Sequence, residues 1–192
     1  MRKPEESQEE EYTKREKSVG RELLETILYI AVVAFVCFLI ITFVGQRTTV
    51  SGQSMEPLLQ DGDNLILDKL TYHFREPERF DVVVFDQTEE DHYIKRVIGL
   101  PGETVQIIDG YVYINGEKLE DDVYGKEVML SGMRAEQPVT LGEDEYFVLG
   151  DNRNYSRDSR DPGVGNVKRS QILGRAWLRF WPLNKLEFIR HQ

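Results

Sequence analysis

The sequence predicts a mainly β protein: an antiparallel β-sheet domain preceded by a single transmembrane helix. Two observations carry this expectation. The first is the run "ILYIAVVAFVCFLIITFV", Ile27–Val44, 18 residues without a charge. The second is the chain after it, where short stretches rich in β-branched and aromatic residues alternate with turn residues.

In chain order, residues 1–22 read as a polar, cytoplasmic segment, charged and nearly free of apolar side chains, disordered or loosely helical. Residues 23–44 read as the membrane helix. At 1.5 Å per residue the apolar stretch reaches about 27 to 33 Å, close to the hydrocarbon thickness of a bilayer. A buried core helix seldom stays uncharged for so long. A cleaved signal peptide fits poorly, because the leading segment is long and Glu-rich and no small-x-small site follows Val44. Lys14, Arg15, Lys17 and Arg21 precede the span and only Arg47 follows it closely, which points to a cytoplasmic N-terminus and an extracytoplasmic domain at 45–192.

Within that domain the expected strands are "NLILDKL" (64–70), "FDVVVF" (80–85), "HYIKRVIG" (92–99), "ETVQII" (103–108), "YVYI" (111–114), "EYFVLG" (145–150) and "RAWLRFWP" (175–182). The turns between them carry Asp61-Gly62, Pro101-Gly102, Asp109-Gly110, Asn115-Gly116 and Pro162-Gly163. Asn115-Gly116, after "YVYI", is the strongest hairpin signal in the chain. The stretch from about 120 to 144 lacks such alternation and reads as a small inserted flap.

Composition narrows the function. After the polar segment and the span, about 145 residues remain, enough for one ordinary domain with its own core. A formal net charge of −10 and no basic stripe argue against a nucleic-acid partner. The lone cysteine, Cys37, lies inside the apolar run, so no intrachain disulfide forms. No zinc site is expected, since the histidines are unpaired in spacing. "DGDN" and "GDNRN" lack the spaced acidic ligands and closing Glu of a calcium loop and read as turns, so neither metal nor cofactor is expected.

In "TVSGQSMEPLLQDGD" turn residues flank Ser54 on both sides, which holds a serine at a place where the chain changes direction. A serine hydroxyl is a poor nucleophile until a second group takes its proton. His73, His92 and His191 make a histidine base conceivable, but Ser54 lacks the Gly-x-Ser-x-Gly elbow and the histidines sit beside charged or turn residues. Lys95, in "DHYIKRVIGLPGE", lies in an apolar β run. Alternation puts it on the face of Tyr93 and Val97, opposite Ile94, Arg96 and Ile98. Spacing leaves two readings open: a strand lysine whose stem snorkels to solvent, or a desolvated amine with a lowered pKa that can accept a proton.

Four stretches in order, behind an N-terminal span, resemble the type I signal peptidases, membrane-anchored serine proteases with a Ser/Lys dyad. Ser54-Met55-Glu56-Pro57 resembles the nucleophile box, and "DGDNLILDKL" the strand box after it. "RFDVVVF" with "YIKRVIGLPGE" resembles the box with the general base, and "GDNRNYSRDSRDPG" (150–163) the last box. The resemblance covers the chain from about residue 20 onward. It implies Ser54 as nucleophile, Lys95 as general base, and Ser156 as the hydroxyl that orients the lysine amine. It further implies Asp158 and Arg160 as a supporting charged pair, and Val50, Met55, Leu59, Tyr93 and Ile94 as the lining of shallow pockets for the −1 and −3 side chains.

The substrates implied are secretory preproteins, bound as extended strands at a lipid bilayer and cut after a small-x-small motif. Gly52 stands where some members carry a serine that donates to the oxyanion, Leu58 where threonine is usual, and Phe80 where glycine commonly lies. Two other classes stay open: a Ser/Lys autoprotease of the repressor-processing kind, and a catalytically silent, membrane-tethered β binding module. The oligomeric state is not legible in the sequence.

Overall fold

The computed structural model describes residues 4–39, 45–88, 91–125 and 127–189. The chain divides into two units, Met1–Thr42 and Phe43–Gln192. The first holds one helix, α1 (Pro4–Leu39). It begins in the charged segment that reads as disordered or loosely helical, because Glu, Lys, Arg and Gln are strong helix formers. Arg21 Nε pairs with Glu25 Oε1 at 2.9 Å, one turn apart. The polar and apolar segments therefore share a single helix, with no break near residue 22.

Among the described residues no helix is long and apolar enough to cross a membrane. The reason lies in the boundaries. The helix is described as far as Leu39 and takes in Ile27–Leu39 of the apolar run, and residues 40–44 lie outside the described residues. What the helix does present is apolar surface on every side: Leu24, Ile27, Tyr29, Ile30, Val32 and Val33 are all exposed.

The second unit is built from strands β1 (Gly45–Thr49), β2 (Asn64–Asp68), β3 (Val82–Asp86), β4 (His92–Gly99), β5 (Thr104–Ile108), β6 (Tyr111–Ile114), β7 (Glu117–Lys118), β8 (Val139–Thr140), β9 (Glu145–Leu149), β10 (Val167–Lys168), β11 (Ile172–Trp181) and β12 (Glu187–Phe188). An eight-stranded sheet runs β1-β2-β11-β3-β4-β9-β10, with β12 added to β11, and a smaller sheet runs β7-β6-β5-β8. All the pairings are antiparallel. The seven expected strands are all present. The five that alternation did not reveal, β1, β7, β8, β10 and β12, are short or polar and are defined by backbone pairing. Asn115 and Gly116 take φ of 53° and 86°, the left-handed pair a tight hairpin between β6 and β7 requires.

Two features of register position the site. β1 and β2 pair from Gly45↔Asp68 to Thr49↔Asn64, so the connection 50–63 that carries Ser54 is a closed loop at one end of the hairpin. Val50 N–H donates to Asp63 O at 2.8 Å and Gly62 N–H to Val50 O at 3.0 Å, which seals its neck. β4 lies between β3 and β9, with Lys95 opposite Val83 and Arg96 opposite Leu149. Carried one residue further, that antiparallel register brings Gly150 beside Lys95.

The stretch read as a flap is pinned rather than free. It contains β8 and a 3-10 turn at Met133–Glu136, and buries Met129 and Ala135 in the core beneath the small sheet. Phe80 belongs to the same core and stacks on Tyr124 with ring centroids 5.0 Å apart. Its φ of 71° lies in the left-handed region, where a Cβ is strained. A glycine would relieve that strain. Phe80→Ala loses the ring and keeps the strain, whereas Phe80→Gly loses only the ring. Guanidinium unfolding followed by Trp177 and Trp181 fluorescence should find both variants destabilised, by about 3 kcal/mol or more for alanine, and the glycine variant the more stable by about 1 kcal/mol.

Candidate active site

Ser54 sits in the closed loop between β1 and β2, and polar contacts fix the turn around it. Gly52, at φ 86°, donates its N–H to Asp61 Oδ1 at 2.8 Å. From the loop that follows β9, Asn152 donates its N–H to Ser54 O at 3.0 Å and its Nδ2 to Gln53 O at 3.1 Å. Among the described residues no acceptor is found for the Ser54 N–H. Backbone bonds within the loop, such as Leu59 N–H to Met55 O at 2.9 Å, satisfy part of it, and side chains and a neighbouring turn satisfy more.

Lys95 Nζ lies 2.8 Å from Ser54 Oγ and 2.9 Å from Ile94 O. A charged amine donates to the hydroxyl; a neutral one accepts its proton. The side chain is only 4% exposed, although it carries an ammonium group in its ordinary state. Burial brings its pKa down to about 8, against the opposing pull of the Asp158 and Asp151 carboxylates. Tyr93, on the same face as expected, holds its ring 5.3 Å from the amine.

Both carboxylates are already engaged. Asp158 binds Arg160 through Nε and Nη2 at 2.9 Å and accepts the Gly150 N–H at 3.1 Å. Asp151 holds Arg96 through two bonds of 2.8 and 2.6 Å. Arg96 also donates to Phe80 O at 2.9 Å and lies 3.7 Å under the Tyr124 ring centroid. Desolvation pushes the Asp151 carboxyl up despite that guanidinium. Each pair is buried on both sides.

The structure thus brings Ser54, Lys95, Asp158 and Arg160 together, with one departure at Ser156. Among the described residues its hydroxyl is buried without a partner and makes no hydrogen bond to the Lys95 amine. Ser156 is extended and turned toward Gly150, and its Oγ lies 2.2 Å from where a Gly150 Cβ would be. Of the five residues read as pocket lining, Val50, Met55, Leu59 and Ile94 share one core cluster, and Met55 and Leu59 are 1% and 0% exposed. They support the surface from beneath. Tyr93 belongs to a different cluster and is half-buried.

His92 pairs with Asp86 and His73 with Lys69 O, so neither faces Ser54, and His191 lies outside the described residues. Asp61 and Asp63 serve turn N–H groups, and no three-residue cluster of His, Cys, Asp or Glu fit for a metal occurs among the described residues. Sequence reasoning passed over Asn152, Asp61 and the Arg96–Asp151 pair. The "GDN" of the last box was the available signal for two of them.

A family model described as signal peptidase, peptidase S26, matches residues 21–181. The chain belongs to this family. It is 41% identical over 152 residues to a probable signal peptidase I-2 of Synechocystis sp., which covers 76% of this chain and 67% of the relative. Identity to the signal peptidase I of Leptolyngbya laminosa is 41% over 173 residues, 85% of this chain and 82% of that one. To the signal peptidase I of Bacillus licheniformis it is 37% over 180 residues, 89% and 96% of the two chains.

Gly150 is the tightest point of the centre. A Cβ there would lie 2.2 Å from Ser156 Oγ and 2.5 Å from the Ser54 carbonyl oxygen, and the carbonyl cannot swing away as a side chain can. Gly150→Ala should therefore displace the Ser54 turn, with preprotein cleavage falling about 100-fold or more while the β domain stays folded by circular dichroism. Near-normal cleavage by this variant would mean that the turn tolerates displacement.

Proposed function

We propose that the protein is a membrane-bound serine endopeptidase that removes N-terminal signal peptides from secretory preproteins through an acyl-enzyme. The observation that carries this reading is the 2.8 Å contact between a buried lysine amine and a serine hydroxyl in a chain of the signal peptidase family. Neutral Lys95 takes the Ser54 hydroxyl proton as Oγ attacks the carbonyl carbon of the scissile bond. The Ser54 N–H donates to the oxyanion that forms. Collapse breaks the C–N bond, the lysine proton passes to the leaving amine, and the mature chain departs. Water, deprotonated by the same amine, then attacks the ester and frees the signal peptide and Ser54.

Ser156, Asp158 and Arg160 support the amine in this reading. In this reading the Ser156 hydroxyl, buried without a partner among the described residues, accepts from the protonated amine when it rotates away from Ser54. Val50, Tyr93 and Ile94 bound the −1 and −3 pockets, with Met55 and Leu59 as their floor, and the substrate adds as an extended strand. The exposed apolar flanks of α1 favour a single span, and Lys14, Arg15, Lys17 and Arg21 before it favour a cytoplasmic N-terminus with the catalytic domain outside. Exposed Trp177, Trp181, Leu183, Leu186 and Phe188 give that domain an aromatic rim suited to a bilayer surface. The match over residues 21–181 favours this reading over a repressor-type autoprotease, and the dyad contact over a silent binding module.

The test uses the full chain in liposomes with a synthetic preprotein. Ser54→Ala and Lys95→Met should each lower turnover by several orders of magnitude without loss of fold. Lys95→Arg should be inactive too, since guanidinium keeps its proton. A lysine whose pKa is about 8 is neutral, and competent, above that pH. Turnover should climb about tenfold per pH unit below 8 and level off above it. A profile already flat from pH 6, or one with a midpoint near 6.5, would return the base to a histidine. Substrates with Ala, Val and Phe at −1 test the pockets: Ala should be cut far faster than Phe, and equal turnover would rule out a narrow site.

A further inference from the structure

The connection between β7 and β8 makes an unusual number of polar contacts with the loop that follows β9. Arg153, in that loop, is 3% exposed, yet no role in the reaction falls to it. Its Nε donates to Gly150 O at 3.0 Å, and its Nη1 and Nη2 grip Asp122 Oδ2 and Oδ1 at 2.7 and 2.6 Å. Its own carbonyl accepts from Arg160 Nη2 at 2.5 Å. Gly125 lies against the guanidinium so closely that a Cβ there would sit 3.2 Å from Cζ. Further along, Arg134 N–H donates to Arg160 O at 3.3 Å, Arg134 Nε to Ser159 O at 2.6 Å, and Arg160 Nη1 to Ser131 O at 3.3 Å.

We propose that Asp122 is a positioning residue for the catalytic centre, acting through the buried guanidinium of Arg153 to hold the Gly150–Arg160 loop against Lys95 and the Ser54 turn. The inference rests on the function proposed above. A guanidinium bound to two carboxylate oxygens and one carbonyl is fixed in plane and distance, which a lysine or a single hydrogen bond would not achieve. The carbonyl it holds belongs to Gly150, the residue beside Lys95 whose N–H binds Asp158 and where a Cβ would lie 2.5 Å from the Ser54 carbonyl oxygen. Without Asp122, Arg153 is a buried cation with no carboxylate partner among its hydrogen bonds, and it must move toward water, taking Gly150 with it. A merely decorative surface pair has no such lever, since exposed pairs contribute little.

The consequence reaches Lys95 through its surroundings. The groups that face its amine are Ser54, the Tyr93 ring, Asp158 paired with Arg160, and Asp151 paired with Arg96. Two of these, Asp151 and Asp158, sit on the loop that Arg153 holds. If that loop loosens, water reaches the amine, the charged form is less disfavoured and the folded-state pKa rises. The base then works only at higher pH. A pure charge effect has the opposite sign, because an unpaired Arg153 makes the region more positive and favours the neutral amine.

The experiment compares wild type, Asp122→Asn, Asp122→Glu and Arg153→Lys as full chains in liposomes, with preprotein turnover measured from pH 6 to 10. Asp122→Asn keeps the side-chain shape, and circular dichroism checks that the β domain stays folded. It should lower kcat at pH 7 about tenfold with KM within about twofold, and the deficit should shrink toward pH 10 as the midpoint moves upward. Asp122→Glu should recover most of the rate, and Arg153→Lys should behave like Asp122→Asn. A deficit equal at all pH values, a midpoint moved downward, or no deficit would overturn the proposal. Amide hydrogen exchange supplies a readout independent of cleavage: Gly150 and Asn152 should exchange faster in Asp122→Asn. Unchanged exchange would also overturn the strut. Faster exchange in a protein whose wild type cleaves no preprotein would leave the strut standing and remove the proposed function.

Discussion

A lysine amine held dry 2.8 Å from a serine hydroxyl is the constraint on which the rest of the β domain depends. Bringing the pKa from 10.5 to about 8 disfavours the charged form by about 3 kcal/mol. This cost is present in full below pH 8, fades as pH rises toward 10.5, and is absent once the unfolded chain also holds a neutral amine. Lys95 therefore weakens the fold in the range where the cell uses it. Its neighbours offset that cost: Val83 opposite and Val97 beside it are fully buried and belong to one apolar cluster. At neutral pH about one amine in ten is then unprotonated, against about one in 2,500 for a lysine in water.

Desolvation alone would be undone by the carboxylates nearby. Asp151 and Asp158 both pull the lysine back toward its charged form. Each is bound bidentately by an arginine, Arg96 and Arg160, and each pair is nearly closed to solvent. Pairing in this geometry lets the loop use carboxylates to fix its backbone while much of their field at the amine is cancelled. A buried ion pair is seldom a net gain in stability. Its value here is placement: Asp158 orders Gly150, and Arg96 spans from Asp151 to the Phe80 carbonyl and the Tyr124 ring.

Much of this architecture was legible in the sequence, for a definite physical reason. Strands β2, β3, β4, β5, β6, β9 and β11 carry apolar, β-branched and aromatic residues toward a core, so pattern and turn residues reveal them. β1, "GQRTT", has no such face, and only its pairing with β2 makes it a strand. Ser54 could be singled out by its flanking turns. Lys95 could not, because alternation allows a buried amine and a snorkelling stem alike; register and burial distinguish them. The orienting hydrogen bond from Ser156 is absent, since the extended backbone turns that hydroxyl toward Gly150. Asp122 and Arg153 were invisible because 31 residues separate them, and a charged residue in a polar connection reads as surface until its partner is seen.

The loops that carry the chemistry are fixed by polar contacts, while the strands are fixed by apolar ones. The reason is geometric. A loop between strands lacks a ladder partner, so each buried N–H or carbonyl must find a side chain or cost its full desolvation. Asp61 serves Gly52, Asn152 serves Gln53 and Ser54, Asp158 serves Gly150, and Arg153 serves Gly150 again. Such bonds are directional, so they set the position of the Ser54 turn more sharply than apolar packing would, and no reorganisation is left for the moment of attack. The buried Ser156 hydroxyl stands apart from this pattern. Leaving it unbonded disfavours the resting state by about 1 to 3 kcal/mol, and any step in which it gains a partner recovers that difference.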